Sequence, residues 1–191
     1  MTRQQIIEMQ RRIGATPDGF WGPLSIAACK AHLRRMMPHP NPWPSSDQSS
    51  LRAFYGQPGD ERNLVMMEFP YRMLYAGQAV SRTRVHARCA DSLFRVLSNI
   101  RGMFAAAPHI VDEATDFAGV YNYRPKRGGT AWSLHAWGAA IDLDADDNSF
   151  RDSWPMKADM PLEIMEAFAR EGWKSAGAFW GYDAMHHEAA R

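Results

Sequence analysis

Apolar residues recur at intervals of three and four in several stretches, and each such stretch predicts a one-sided helix. Ile6, Met9, Gln10 and Ile13 mark the first, which stops at Gly14, a natural C-terminal cap. After the tight loop Ala15 to Pro23, a second helix begins with Pro23 in its first turn and carries Ile26, Ala27, Lys30 and Leu33. The clearest periodicity runs from Val85 to Ile100 through Cys89, Leu93, Val96 and Leu97, and predicts a helix covering one face of a sheet. A further helix is expected over Pro161 to Glu171, with Leu162, Met165, Phe168 and Ala169 inward and an end near Gly172. Strands are expected at Leu64 to Phe69, bounded by Pro70, at Ile110 and Val111, and at Ile141 to Asp144, where apolar and polar residues alternate. Gly172 to Asp183 is rich in Gly and aromatics and reads as a loop-and-strand wall of a cleft. The implied class is α+β: a small antiparallel sheet with covering helices, plus a small N-terminal helical unit.

Residues 38–50, with four prolines among Ser, Asn and Asp, cannot form a helix or an inner strand. They divide the chain into a helical unit at 1–37, a linker at 38–50 and a larger domain at 51–191. The prolines predict a semi-rigid spacer that holds the helical unit away from the larger domain. His39 is then a solvated linker residue.

A chain of 191 residues can bury a sizeable core. A formal charge of +1 gives no electrostatic case for nucleic acid or a membrane surface, and no apolar run is long enough to insert into a bilayer. Met1 to Gln5 lacks the apolar stretch of a secretory signal. Cys29 and Cys89 each sit among small or apolar residues at helical spacing, and are expected to be buried free thiols in a chain made in a reducing cytoplasm.

The candidate chemistry lies in the second half. His135 and Asp142 are separated by Gly138 and small residues, so the chain can bend and bring them together. Asp183 and His186, near the end, add a second carboxylate and imidazole. Three ligands, His135, Asp142 and His186, leave the fourth position of a tetrahedral Zn2+ site open to water, as catalysis needs, and free Asp183 to act as a base. His86 and His109 have no partner at usable spacing and are expected to be structural or exposed. Asp144, Asp146, Asp147 and Asn148 lack the Gly and Glu of a calcium loop and predict a solvated acidic turn.

Ser133 to Asp142, read as SxHxxGxAxD, followed by DxxH at Asp183 to His186, resembles the zinc peptidases of the VanY-type D-Ala-D-Ala carboxypeptidase family. That family includes the L-alanyl-D-glutamate endopeptidases used as phage endolysins. The resemblance runs from about Leu64 onward. It implies that His135, Asp142 and His186 hold zinc, that Asp183 is the general base, and that Arg124 of a YxxR segment stabilises the oxyanion, with Arg127 as runner-up. Ser133, Arg127 and Trp180 are candidate substrate contacts, and Glu188 a residue that orients a ligand. Here Ser175 and Ala176 depart from the family's aromatic and Gly pattern, and His187 stands at an aromatic position.

The loop Thr16-Pro17-Asp18-Gly19-Phe20-Trp21-Gly22-Pro23 resembles that of the peptidoglycan-binding helical repeat, with Ser25 where Thr is usual and Trp21 replacing a smaller residue. Phe20 and Trp21 suit either stacking on sugar or plugging a small core. Together the two resemblances imply a monomeric zinc-dependent endolysin acting on bacterial peptidoglycan, cutting the stem peptide at L-Ala-D-Glu. It would be made in the host cytoplasm without a signal peptide and reach the wall after release. The alternatives are a D,D-carboxypeptidase and a non-enzymatic wall-binding or phage structural module.

Overall fold

The computed structural model describes residues 1–191. Helices α1 (Arg3–Ile13) and α2 (Pro23–Met36) form the N-terminal pair. Thr2 and Gln5 close a capping box on α1, and Gly14 ends it in the left-handed conformation. Within the pair, the buried Gln10 side chain donates to Asp18, Phe20 and Ser25, so one amide holds the intervening loop.

This pair is packed against the rest of the molecule, which corrects the expectation of a unit held off by a spacer. Met9, Ile13, Cys29 and Leu33 belong to the same apolar core as the larger domain. Arg12 and His32 both reach Glu166 of α6 (Leu162–Arg170), a carboxylate that is itself buried. Trp21 meets Trp154 edge to face at 5.4 Å, so of its two expected roles it takes the core one. Phe20, by contrast, is exposed.

The segment at 38–50 is also strapped down. Trp43 is buried, donates its indole N–H to the Glu171 carbonyl at 2.7 Å, and packs edge to face on Trp173. Asn41 donates to Gly172, and residues 44 and 46 bond to Arg191. The prolines stiffen this strap, but an indole that fills a slot in the core decides where it runs. Trp43→Ala is expected to cost about 3–5 kcal/mol in chemical denaturation.

Beyond the strap, α3 (Gln48–Tyr55) is capped by Asp47 and was not foreseen, its three starting residues having been assigned to the linker. Strand β1 runs from Leu64 through Tyr75, past Pro70, and pairs with β2 (Gln78–His86) as an antiparallel ribbon. Its register shifts between Glu68 and Met73, and an irregularity of this kind lets a strand carry Pro. Helix α4 (Ala87–Met103) begins two residues later than its periodicity suggests, because Val85 and His86 end β2. His86 is structural: its Nδ1 accepts from the Arg88 amide to cap α4. His109 is exposed.

Ile110 and Val111 are helical, Ile110 ending a 3₁₀ turn and Val111 opening α5 (Val111–Thr115), not a strand. Two β-branched residues are too short a signal to outweigh their place between two helical turns. Both cysteines are buried free thiols.

A second sheet has four antiparallel strands in the order β3 (Phe117–Gly119), β4 (Ala140–Leu143), β6 (His186–Glu188), β5 (Lys174–Ser175). In β4 and β6, Asp142 pairs with His186, Ile141 with His187 and Ala140 with Glu188. Residues directly opposite share a face, so the strand alternation puts Asp142, His186 and Glu188 on one side and Ile141 and His187 on the other. The His187 ring stacks on Phe168 of α6 at 4.0 Å, nearly parallel. One face is thus core and the other is available for chemistry. Between β5 and β6 the Gly-rich wall forms α7 (Ala176–Trp180) where loop and strand alone were expected. No helix is long and apolar enough to cross a membrane.

Candidate metal centre

Two of the three expected ligands meet because they are cross-strand neighbours, and the third comes from a turn. Leu134–Trp137 is a single 3₁₀ turn capped by Ser133, whose hydroxyl accepts from the His135 amide. Gly138 closes it at φ +68°, and a Cβ there would lie within 3.0 Å of the Leu64 side chain and the His86 amide nitrogen. Only glycine meets both demands. The turn places His135 over the open face of β4.

The three donor atoms form a small triangle. His135 Nε2 is 3.1 Å from Asp142 Oδ1 and 3.0 Å from His186 Nδ1, which is 2.9 Å from Asp142 Oδ1. The far nitrogens fix the tautomers. His135 Nδ1 donates to the Val120 carbonyl at 2.7 Å, and His186 Nε2 faces Glu188 Oε2 at 3.2 Å. Both partners are acceptors, so each far nitrogen keeps a proton, and in its neutral form each ring turns the lone pair of its near nitrogen into the triangle. Three lone-pair donors cannot be buried face to face without a cation between them. Edges near 3 Å match the roughly 3.3 Å spacing of ligands around a tetrahedral ion with bonds of about 2.0 Å. The residues present therefore fit zinc.

The electrostatics lead to the same conclusion. Burial alone would lower the His186 pKa, but hydrogen bonds with Asp142 and Glu188 overcome it and push it up to about 10. For Asp142, burial raises the pKa, yet the two imidazoles more than offset this and hold the carboxyl well below its usual range. In the metal-free chain a proton on His186 supplies the positive charge that the triangle requires. His187, on the core face, is pushed down to about 3 by burial and stays neutral, with Nδ1 2.8 Å from the Ser175 hydroxyl.

Asp183 stands beside the triangle. It is buried, sits at φ +59°, and its Oδ1 has no hydrogen-bond partner. Burial raises its pKa, as does the neighbouring Asp142, against the opposing effect of His186. A desolvated carboxylate with a free oxygen is poised to take up a proton.

The cleft over these groups has a volume of about 360 Å³. Arg124, Arg127, Ser133 and Trp180 all line it. Arg124 makes only a long contact to the carbonyl of the next residue, and Arg127 lies over the Phe150 ring at 5.0 Å. Ser133 is buried and spends its hydroxyl on the His135 turn. Trp180 stacks against His186, with ring centroids 5.6 Å apart. Lys126 and Phe150 also line the cleft and were not anticipated, and Lys174 and Tyr182 line it from the Gly172–Asp183 stretch expected to form its wall, without having been singled out there. Lys174 gave no local signal, since only the β5–β6 pairing brings it opposite Glu188.

Residues 127–189 match the family model described as D-alanyl-D-alanine carboxypeptidase. No curated protein and no solved structure gave a match. The carboxypeptidase match spans His135, Asp142, Asp183 and His186 and starts after Arg124. Taken with the buried His–Asp–His group, it supports a metallopeptidase.

The acidic turn after β4 differs from the solvated one expected. Asp146 and Asp147 are exposed, but Asp144 and Asn148 are buried. Asn148 donates to Asp144 Oδ2 and accepts from the Asp159 and Met160 amides, so it staples this turn to the approach to α6. Burial pushes the Asp144 carboxyl up to about 6.

Proposed function

We propose that this protein is a zinc-dependent peptidase that cuts the stem peptide of bacterial peptidoglycan, with L-Ala-D-Glu as the target bond. The observation that carries the reading is a buried triangle of lone-pair donors with an unpartnered carboxylate, Asp183, at its side. Zinc held by His135, Asp142 and His186 would supply Lewis acidity, acidifying water and polarising a carbonyl. Asp183 takes the proton from the attacking water and returns it to the leaving amine. Glu188 holds the His186 Nε2 proton and so keeps Nδ1 aimed inward. Arg124 or Arg127 meets the negative charge that develops on the carbonyl oxygen. Trp180 and Tyr182 form an aromatic wall that seats the substrate.

The resemblance of the Thr16–Ser25 loop to wall-binding repeats supports action on intact wall, as by a phage endolysin released from the cytoplasm in which it is made. A second reading, removal of a terminal D-Ala, is favoured by the description of the matched family. Digesting purified sacculi with the zinc-loaded protein and weighing the muropeptides separates the two. New N-terminal D-Glu is the expected product. Released D-Ala would establish the second reading, and intact muropeptides from a zinc-loaded protein would overturn both.

A further inference from the structure

Among the arginines and lysines of this chain, those in ion pairs are Arg12, Arg62, Arg84 and Arg95. Of the four cations lining the catalytic cleft, Arg124, Lys126, Arg127 and Lys174, none is in an ion pair. Lys174 is the most telling. It is half-buried on β5, and it lines a second hollow of about 580 Å³ as well as the cleft.

The other walls of that hollow include Arg34 and Arg35 in the last turn of α2, Phe179 of α7, and Arg191. No acidic side chain lines it. Arg34 rests over Phe179 at 5.5 Å, while Arg35 is exposed and makes no side-chain hydrogen bond or ion pair within the chain. Cations at the carbonyl end of a helix are favourable in themselves, which accounts for part of Arg34 and Arg35. It does not account for Lys174, a half-buried ammonium that stands opposite Glu188 without an ion-pair contact, where the cleft and the basic hollow meet. Cationic side chains therefore run from the cleft, where Asp142, Asp183 and Glu188 also stand, into a hollow with no acidic side chain, in a chain whose formal net charge is only +1.

We propose that the catalytic cleft continues past Lys174 into this hollow, and that the hollow binds a carboxylate-bearing stretch of the substrate peptide beyond the bond that is cut. The proposal rests on the peptidoglycan reading and deepens it. The N-terminal helical unit then does more than anchor the enzyme to the wall: Arg34 and Arg35 make it one side of the substrate groove. This use of the unit is possible only because α2 is packed against α6 and α7.

The test uses two uncleavable probes, a stem peptide with its scissile amide reduced and free distal carboxylates, and the same peptide with those carboxylates as primary amides. Calorimetric titration into the zinc-loaded wild type should find the acid form bound roughly tenfold more tightly than the amide. That preference should shrink in Arg35→Glu and in Lys174→Met, and fade at high salt. Because Arg35 is exposed and unbonded, its variant is expected to fold as the wild type does. Equal binding of acid and amide to the wild type, or an equal loss for both in Arg35→Glu, would overturn the proposal. So would preferential binding of inorganic polyphosphate over the acidic peptide. The sacculus digestion reports on the underlying activity separately: a protein that prefers the acid probe yet cuts nothing would keep the groove and lose the peptidase.

Discussion

Asp183→Asn is expected to lower turnover by about 10²–10⁴-fold while the protein still binds one zinc ion. The substitution suits the site unusually well. Asp183 Oδ1 has no partner to lose, and asparagine is among the few residues at ease at the observed φ of +59°. Fold and metal centre should therefore survive, leaving the missing proton acceptor as the only large change. Steady-state kinetics on a stem peptide, with zinc content measured on the same sample, decide the matter. Activity within a few-fold of wild type at full zinc content would remove Asp183 from the mechanism. Arg124→Ala and Arg127→Ala make a useful contrast, because both guanidiniums sit on the cleft wall with few bonds to the protein. The variant with the larger drop in kcat identifies the group that meets the oxyanion.

Much of this site could be read from the chain because its ligands come in short local patterns. The alternation around Ile141 and Asp142 marks a strand with one polar face, and Gly138 marks the sharp turn that brings His135 over it. What could not be read was set by pairing between distant segments. Lys174 becomes part of the cleft only through its register with Glu188, and Glu166 becomes an anchor only because α1 and α2 fold onto α6. The proline-rich segment misled for a related reason. Proline content reports how stiff a stretch is, not whether a residue such as Trp43 within it has a slot to fill. In the same way, short polar runs such as Asp144 to Asn148 look solvated until one amide turns out to satisfy two backbone donors.

Zinc is expected to raise the melting temperature by an amount that grows with pH, and the sign follows from His186. Its folded-state pKa, about 10, lies above the ordinary 6.5. In the metal-free protein the protonated ring therefore contributes stability that is fully present below pH 6.5 and is lost as pH rises through about 10. Zinc needs the same Nδ1 lone pair, so binding must displace that proton. With free zinc held constant by a metal buffer, the stabilisation should increase by about 1.4 kcal/mol for each pH unit across this window, the equivalent of one proton released per ion. Asp142, whose pKa is held low, titrates far below the window and adds no slope there. Thermal melts with and without zinc between pH 6.5 and 9 test this, and calorimetry in buffers of different ionisation enthalpy counts the proton directly. A zinc-induced shift independent of pH would mean that His186 gives up no proton to the metal, and zinc content measured on His186→Ala would then tell a ring already neutral at the triangle, where zinc is lost, from an ion bound elsewhere, where it is kept.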